Sequence, residues 1–297
     1  MDTHQKAAVV LAALELVPGD PSDLTRVLRD EGARTSLLGL ENMDRANSLE
    51  TAQSSPLAVY LTENLDQGRV EHWAKILNQG TWYEPLLAST TAYPQPLARL
   101  TDVPPVLFRS INPDIDTAVL NGANLAIVGS RSTGAAVLDS TRSVAAAAAA
   151  AGAHVVSGMA SGVDSAAHLG ALDAGGLTTA VLGTGIEHIF PAENTNLAGR
   201  IAQRGMLLSQ FAPTAPRTGT TFLRRNAVIA ALSQTSLIMD AREHSGSHDE
   251  LKHALRFGRQ VLLWKPALYD AEWTAPLIRF GSATFVESAD EVLNFLG

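Results

Sequence analysis

Residues 125–134 decide the fold of this chain and read Leu125-Ala126-Ile127-Val128-Gly129-Ser130-Arg131-Ser132-Thr133-Gly134. Four apolar residues in a row are typical of a strand that is buried on both faces, and the Gly/Ser/Thr run after them is typical of a loop. The Ala-rich stretch from about residue 135 to residue 151 then predicts a helix. A strand, a glycine-bearing loop and a helix in this order indicate one unit of a parallel α/β sheet.

The same alternation of strand and helix continues to the end of the chain. Short apolar or β-branched runs predict strands at residues 154–156, 179–182, 206–209, 236–239 and 260–264. Helical patterns lie between them, at residues 165–173, 194–204, 226–231 and 249–257. Continuously apolar strands separated by helices indicate a parallel sheet with both faces covered. The expected fold class is therefore α/β, with a Rossmann-like, doubly wound, mostly parallel sheet.

The first 85 residues have a different pattern, which predicts a small all-helical N-terminal domain. Apolar residues at helical spacing predict helices at residues 5–16, 21–30, 57–64 and 68–77, and the polar stretch 43–56 predicts a loop. From Tyr93 the chain becomes extended and rich in proline. We therefore expect two domains, a helical N-terminal domain at residues 1–85 and an extended Rossmann-like domain at residues 86–297.

Composition excludes several functional classes. The 297 residues are 46% hydrophobic and 18% charged, which is typical of a folded globular protein. The longest apolar run, residues 144–151, is much shorter than the roughly 20 residues of a membrane span, so no membrane insertion is expected. With no basic signal-peptide region and no cysteine, we expect a cytoplasmic protein without disulfides or thiolate metal sites. No metal and no cofactor are predicted.

The net charge of −8 argues against a nucleic-acid partner, because affinity for phosphate comes mostly from basic residues. The distribution of charge weakens this argument. Residues 1–85 carry a net charge of −6 and residues 86–297 carry only −2. Most of the basic residues are arginines, which can bind phosphate in a bidentate manner. Charge alone therefore leaves a polyanion partner open.

Ligands of such a sheet bind beyond the carboxyl ends of its strands, where helix N-termini present free amides. Five loops at this edge carry glycine, serine or arginine. Their candidate phosphate-binding residues are Gly129, Ser130, Arg131, Ser157, Gly158, Gly162, Gly183, Arg224, Arg225, Asn226, Ser245, Gly246 and Ser247. The loop after residue 128 is neither a dinucleotide-binding nor a Walker A motif. Together the loops indicate a polyanion-binding groove or a nucleotide pocket, although each one alone could be a structural turn.

Other polar residues near these loops have structural explanations. Asp164 is expected to cap the helix that follows it, and His168 is expected to be a paired, structural histidine. Arg224 and Arg225 are placed at the start of the helix predicted at residues 226–231, where the helix dipole disfavours a cation unless an anion or a carboxylate compensates. That unfavourable placement indicates either a bound anion or a nearby carboxylate.

The linked motifs resemble those of the DNA-processing protein A (DprA/Smf) family. They are Ala126-Ile127-Val128-Gly129-Ser130-Arg131, then residues 156–168, Val181-Leu182-Gly183-Thr184-Gly185-Ile186-Glu187, Phe190-Pro191-Ala192-Glu193-Asn194 and Arg224-Arg225-Asn226. The resemblance covers about residues 80–265. It implies an extended Rossmann domain, preceded by a helical domain, that binds single-stranded DNA and delivers the RecA-type recombinase onto it during natural transformation, usually as a homodimer.

Carried over residue by residue, the resemblance places backbone phosphates on the loop at residues 129–131 and on Ser157, Gly158 and Gly162. It makes Arg224, Arg225 and Asn226 part of a motif that faces the same groove. The sequence departs from the family at Ser161, where many members have arginine, and at Gln210, where the family usually has glutamate. A further departure, the acidic pair at residues 249 and 250, would be costly beside a DNA phosphate.

An alternative function uses those acidic residues. Residues 247–251 are similar to the Gly-Thr-x-Glu-Glu-Leu stretch of the nucleoside 5′-monophosphate phosphoribohydrolases (the "lonely guy" family), in which Arg225 would hold phosphate and Glu250 would stabilise the ribose cation. The Pro-Gly-Gly turn of that family is absent. We therefore predict a binding protein and no catalytic residue, with Glu250 as a helix-start carboxylate near the groove, neutralised by Arg224 or Arg242. A hydrolase would instead require Glu250 in one pocket with Arg131 and Arg225.

Overall fold

The computed structural model describes residues 1–17, 19–39 and 55–296. The chain divides into two compact units. One contains residues 1–93 and 98–109, and the other contains residues 94–97 and 110–297. Residues 43–54 of the loop predicted at 43–56 lie outside the described residues.

The first unit begins with helices and ends with two neighbouring strands. The helices are α1 (Thr3–Leu14), α2 (Ser22–Arg29), α3 (Glu31–Leu38), α4 (Pro56–Asn64) and α5 (Gln67–Gln79). The strands are β1 (Tyr83–Leu87) and β2 (Val106–Ser110). The short helix α6 (Gln95–Ala98) lies between them in the chain, and its residues 95–97 belong to the second unit. Described residues before Tyr83 form helices and no strand, as the sequence predicts. Residues 86–93 also belong to the first unit, and the predicted boundary between residues 85 and 86 stays a prediction.

The second unit is built on a parallel sheet, which confirms the predicted fold class. Its strands are β3 (Asn124–Val128), β4 (His154–Ser157), β5 (Thr178–Leu182), β6 (Met206–Ser209), β7 (Thr235–Ile238), β8 (Gln260–Trp264) and β9 (Thr284–Val286). Their spatial order is β6-β5-β4-β3-β7-β8-β9, and each neighbouring pair is parallel. The sequence did not predict β9, because it has three residues of which one is buried.

Helices cover the sheet and connect its strands. They are α7 (Ala135–Ala150), α8 (Val163–Asp173), α9 (Thr195–Arg204), α10 (Gly219–Leu232), α11 (Gly246–Arg256), α12 (Lys265–Leu268), α13 (Ala275–Arg279) and α14 (Ala289–Leu293). Among the described residues, every helix falls short of the length and apolarity of a membrane span.

The start of α10 corrects one prediction. The helix begins at Gly219, because the Thr218 side chain accepts a hydrogen bond from the Thr221 amide and a capping box closes its first turn. Arg224 and Arg225 consequently lie in the second turn and not at the helix start. The predicted conflict with the helix dipole is therefore wrong. The polar sequence around Thr218 concealed the true start, since it carries no apolar periodicity.

The strand order also determines where a crevice forms at the edge of the sheet. From β3 the chain moves to β4 on one side of the sheet and returns to β7 on the other side, so β3 and β7 are neighbours from different halves. The connections that leave the carboxyl ends of β3 and β7 diverge to opposite sides. Open parallel sheets bind their ligands at such a switch point. The site is therefore expected at residues 129–134 and 239–247.

Candidate nucleic-acid interface

A cavity of about 580 Å³ lies at this switch point. The loop after β3, the first two turns of α10 and the loop between β7 and α11 line it. Eight of the thirteen predicted binding residues line this cavity: Gly129, Ser130, Arg131, Arg225, Asn226, Ser245, Gly246 and Ser247. The structure thus brings together residues that lie up to 118 positions apart in the chain.

Glycines let the loop after β3 pack directly on the start of α8. A Cβ atom on Gly129 would lie 2.6 Å from Val163, and one on Gly162 would lie 2.5 Å from the carbonyl oxygen of Ser130. Gly162 also has a φ of 80°, which disfavours other residues. Gly134, the N-cap of α7, makes no side-chain capping bond, so α7 presents uncapped amides at the strand-end edge. In α8 the first amides are used inside the protein, because Val163 donates to the Ser130 carbonyl at 3.3 Å and Ser165 donates to the Ala160 carbonyl at 3.1 Å.

Arg225 is buried at the cavity floor beside Asp164. Its Nη1 donates to the carbonyl oxygens of Gly158 and, at 2.6 Å, of Val181. A Cβ on Gly158 would lie 2.5 Å from the Arg225 guanidinium and 2.6 Å from the Asp164 carboxylate. Residue 158 must therefore be glycine so that the two charged side chains can occupy this space. Asp164 does not cap α8, contrary to prediction, because Gly162 is the N-cap and the Asp164 carboxylate accepts from the Ala160 amide.

Burial and mutual attraction act in opposite directions on this pair. Burial raises the pKa of Asp164, and the positive charge of Arg225 opposes the rise. Burial lowers the pKa of Arg225, and the negative charge of Asp164 opposes the fall. An arginine stays protonated in proteins, so Arg225 keeps its positive charge beside the Asp164 carboxyl in the cavity floor.

Aromatic rings position the more exposed arginines of the site. The Phe222 ring lies under Arg131, 5.3 Å from ring centroid to guanidinium carbon, and the Phe190 ring lies 4.7 Å from Arg217. The two rings meet edge to face at 5.8 Å. Cation–π contacts of this kind hold a guanidinium in place without using its N–H donors. Arg131 and Arg217 therefore keep their donors for a ligand.

Two predicted residues are used inside the protein. The Asn226 amide donates to the Gly246 carbonyl at 3.0 Å and to Asp249 at 3.2 Å, and its oxygen accepts from Arg225. The Ser245 hydroxyl caps α11 by accepting from the His248 amide. Asn226 therefore joins α10 to the start of α11, and Ser245 fixes the conformation of that helix start.

The other five predicted residues do not line the cavity. Ser157 is fully buried and donates to the Ile127 carbonyl. Gly158 and Gly162 make room for neighbours as described above, and a Cβ on Gly183 would lie 2.7 Å from Phe222. Arg224 is exposed and packs over Phe211 at 5.6 Å. Their contact with a ligand stays a prediction.

Glu250 corrects a third prediction. It is not a helix-start carboxylate, because α11 begins at Gly246 and Glu250 lies in its second turn, 1% exposed. It lines the same cavity as Arg131 and Arg225. Its Oε1 accepts from the Ser236 hydroxyl at 2.8 Å, and Oε2 has no hydrogen-bond partner among the described residues. Neither Arg224 nor Arg242 neutralises it; burial instead raises its pKa to about 8. Asp249 is the carboxylate in the first turn.

His168 is structural, as predicted. Its ring is fully buried, and Nδ1 lies 2.7 Å from the Thr178 hydroxyl. Burial lowers its pKa to about 3, so the ring is neutral. Within the described ranges, no group of three or more His, Asp or Glu side chains could hold a metal ion.

Sequence reasoning missed Arg217 and Phe222, which both line the cavity. Arg217 directly precedes the N-cap of α10, and Phe222 lies in its first turn. The signal that could have identified them is the Thr-x-x-Thr capping pattern at residues 218–221. This pattern places the helix start at residue 219, seven residues before the predicted start at residue 226.

Comparisons with known proteins agree on one family. The family model described as "DNA recombination-mediator protein A" matches residues 85–297. The DNA processing protein DprA of Bacillus subtilis is 32% identical over 210 residues, which cover 70% of this chain and 69% of that protein. Protein Smf of Synechocystis is 34% identical over 207 residues, or 69% of this chain, and the chain spans 52% of its length.

Two solved structures are similar. DNA processing protein A from Streptococcus pneumoniae has a TM-score of 0.72 at 24% identity and covers 94% of this chain and 99% of its own, which shows the shared fold. DNA processing protein A from Helicobacter pylori, whose structure is described for its single-stranded DNA binding mode, has a TM-score of 0.63 at 26% identity over 71% of this chain and 94% of its own. The chain belongs to the DNA recombination-mediator protein A family.

Proposed function

We propose that this protein processes DNA by binding single-stranded DNA, without catalysis, at the carboxyl edge of its parallel sheet. The observation that carries the proposal is the cavity at the switch point, which Arg131, Arg217 and Arg242 line with exposed side chains above the buried Arg225. Arginines bind phosphate as bidentate donors, and the uncapped start of α7 adds amide donors. The H. pylori relative described for its single-stranded DNA binding mode supports the choice of ligand.

The test measures binding of the full chain to oligo-dT by fluorescence anisotropy at 50 and 200 mM salt. Arg131→Ala and Arg217→Ala are each expected to weaken binding and to reduce the slope of log K against log salt by about 0.7, the value for one phosphate contact on a single strand. Arg204→Ala is the matched control. It removes an equal charge at the end of α9, directly before β6, and thus at the opposite edge of the sheet. Undetectable binding at low salt, or equal binding by all three variants, would overturn the proposal.

A comparison of single-stranded with double-stranded DNA defines the ligand further. We expect the protein to prefer single-stranded over double-stranded DNA in a gel shift at the same two salt concentrations. Equal affinity would indicate a general anion binder.

Family membership supports two further proposals about partners. We propose that the protein delivers a RecA-type recombinase onto single-stranded DNA in natural transformation, and that it acts in the cytoplasm as a homodimer. A monomer mass in light scattering at tens of micromolar protein would contradict the dimer. Failure to co-precipitate the recombinase of the same organism on DNA beads would contradict the delivery step.

Nucleotide hydrolysis is the second candidate, because Glu250 lines one cavity with Arg131 and Arg225, as that chemistry requires. Against it, the ribose cation needs a carboxylate, and Glu250 with a pKa of about 8 is mostly neutral at pH 7. A hydrolase of this kind would release free base from adenosine or guanosine monophosphate, faster above pH 8 and not at all in Glu250→Gln. We expect no base release at any pH between 6 and 9.

A further inference from the structure

The loop between β7 and α11 holds a histidine in an unusual backbone conformation. His244 has a φ of 64°, in the left-handed region, which is uncommon for residues other than glycine. Its backbone N–H donates to Nδ1 of His248 at 3.2 Å, which keeps the loop in this shape. Strained residues of this kind persist where the surrounding structure determines them, and they concentrate at functional sites.

The result of this conformation is a column of three rings. The His248 ring stacks on Trp273 with ring centroids 4.8 Å apart and planes inclined by 24°. The His244 ring lies nearly parallel to the His248 ring, with centroids 6.3 Å apart and planes inclined by 21°. Trp273 and His248 are half-buried, whereas the His244 side chain is 80% exposed. The column therefore begins inside the protein and ends in solvent.

The outer end of the column lies beside the cavity of the proposed DNA site. His244 is flanked in the chain by Arg242 and Ser245, which both line that cavity. A DNA strand whose phosphates lie on Arg131, Arg217 and Arg242 would leave the cavity past the His244 ring. The loop between β7 and α11 contains two acidic residues, Asp240 and Glu243, and the Glu243 carboxylate lies 3.8 Å from the His244 imidazole.

We propose that the column of His244, His248 and Trp273 is a stacking platform for a nucleobase of single-stranded DNA, with His244 as the contact ring. The proposal rests on the proposed function and adds a base-binding subsite to a phosphate site. Bases stack on aromatic side chains without regard to sequence, because every base has a π face. The positive charge of the adjacent arginines favours a nucleic acid over a neutral aromatic partner.

The test compares two strands of equal length and phosphate number, oligo-dT and a fully abasic strand, with the full-length protein in fluorescence anisotropy. His244→Asn removes the ring and suits the left-handed backbone. His244→Phe keeps a ring and removes the imidazole. His72→Asn, at an exposed histidine of the first unit, is the matched control.

We expect wild-type protein to bind oligo-dT more tightly than the abasic strand. His244→Asn should lose about fivefold or more of the affinity for oligo-dT, the lower end of what one base–aromatic stack contributes, and none for the abasic strand. His244→Phe should keep the wild-type preference, and His72→Asn should leave both affinities unchanged.

The outcomes separate this inference from the proposed function. Equal losses on both strands in His244→Asn, no loss on either, or loss of the preference in His244→Phe would overturn the stacking platform and leave the phosphate site intact. A wild-type protein that binds neither strand would overturn both.

Discussion

Replacement of the buried Glu250 by glutamine should change how the stability of the protein depends on pH. Burial raises the pKa of this carboxyl from 4.5 to about 8, and its Oε1 accepts from Ser236. The folded state therefore binds a proton that the unfolded state releases above pH 4.5. The stabilisation that Glu250 contributes is complete below about pH 4.5 and is lost as the pH rises through about 8.

The magnitude follows from the same two values. Each tenfold difference between the acid constants of the folded and unfolded states corresponds to about 1.36 kcal/mol. The rise in the pKa of Glu250 from 4.5 to about 8 thus corresponds to a loss of roughly 5 kcal/mol in the free energy of unfolding above pH 8. Glutamine has the shape of the protonated acid and can still accept from Ser236, so the variant should lose this pH dependence without losing the hydrogen bond.

The assay is equilibrium urea unfolding at pH 5 and pH 8.5, followed by circular dichroism. Wild type and Glu250→Gln should have similar free energies of unfolding at pH 5, and the variant should be the more stable by several kcal/mol at pH 8.5. Glu243→Gln, at an exposed carboxylate of the neighbouring loop, is the control. A difference between wild type and Glu250→Gln that is equal at the two pH values would refute the reasoning.

Two further predictions concern the packing around the arginines. Gly158→Ala should destabilise the protein by about 1–3 kcal/mol in urea unfolding, because the added Cβ would lie 2.5 Å from the Arg225 guanidinium. Gly199→Ala, whose Cβ would meet no atom within 4 Å in helix α9, should leave stability unchanged or raise it, and an equal loss in both variants would contradict this account. Phe222→Leu should weaken binding to oligo-dT by about 0.5–2 kcal/mol, since Arg131 loses the ring beneath it, and an unchanged Kd would show that the ring does not position Arg131.

The sequence by itself determined the fold class and predicted the sheet edge that carries the candidate site. Apolar runs such as residues 125–128, followed by Gly129 and an Ala-rich helix, are local patterns, and the parallel sheet follows from their alternation. Parallel strands place their carboxyl ends at one edge, so the sequence assigns Arg131 and Arg225, which both follow strands, to one surface.

Only the tertiary structure decided what each side chain does at that edge. The strand order places β3 beside β7, and Glu250 therefore lines the same cavity as Arg131. The sequence alone predicts Glu250 at a helix start near the groove. The tertiary structure also buries Arg225 against Gly158, and it joins His244 to Trp273 in one column. The physical reason is that periodicity records which face of an element is buried, whereas the identity of its neighbours depends on strand order and loop conformation, which involve residues far apart in the chain.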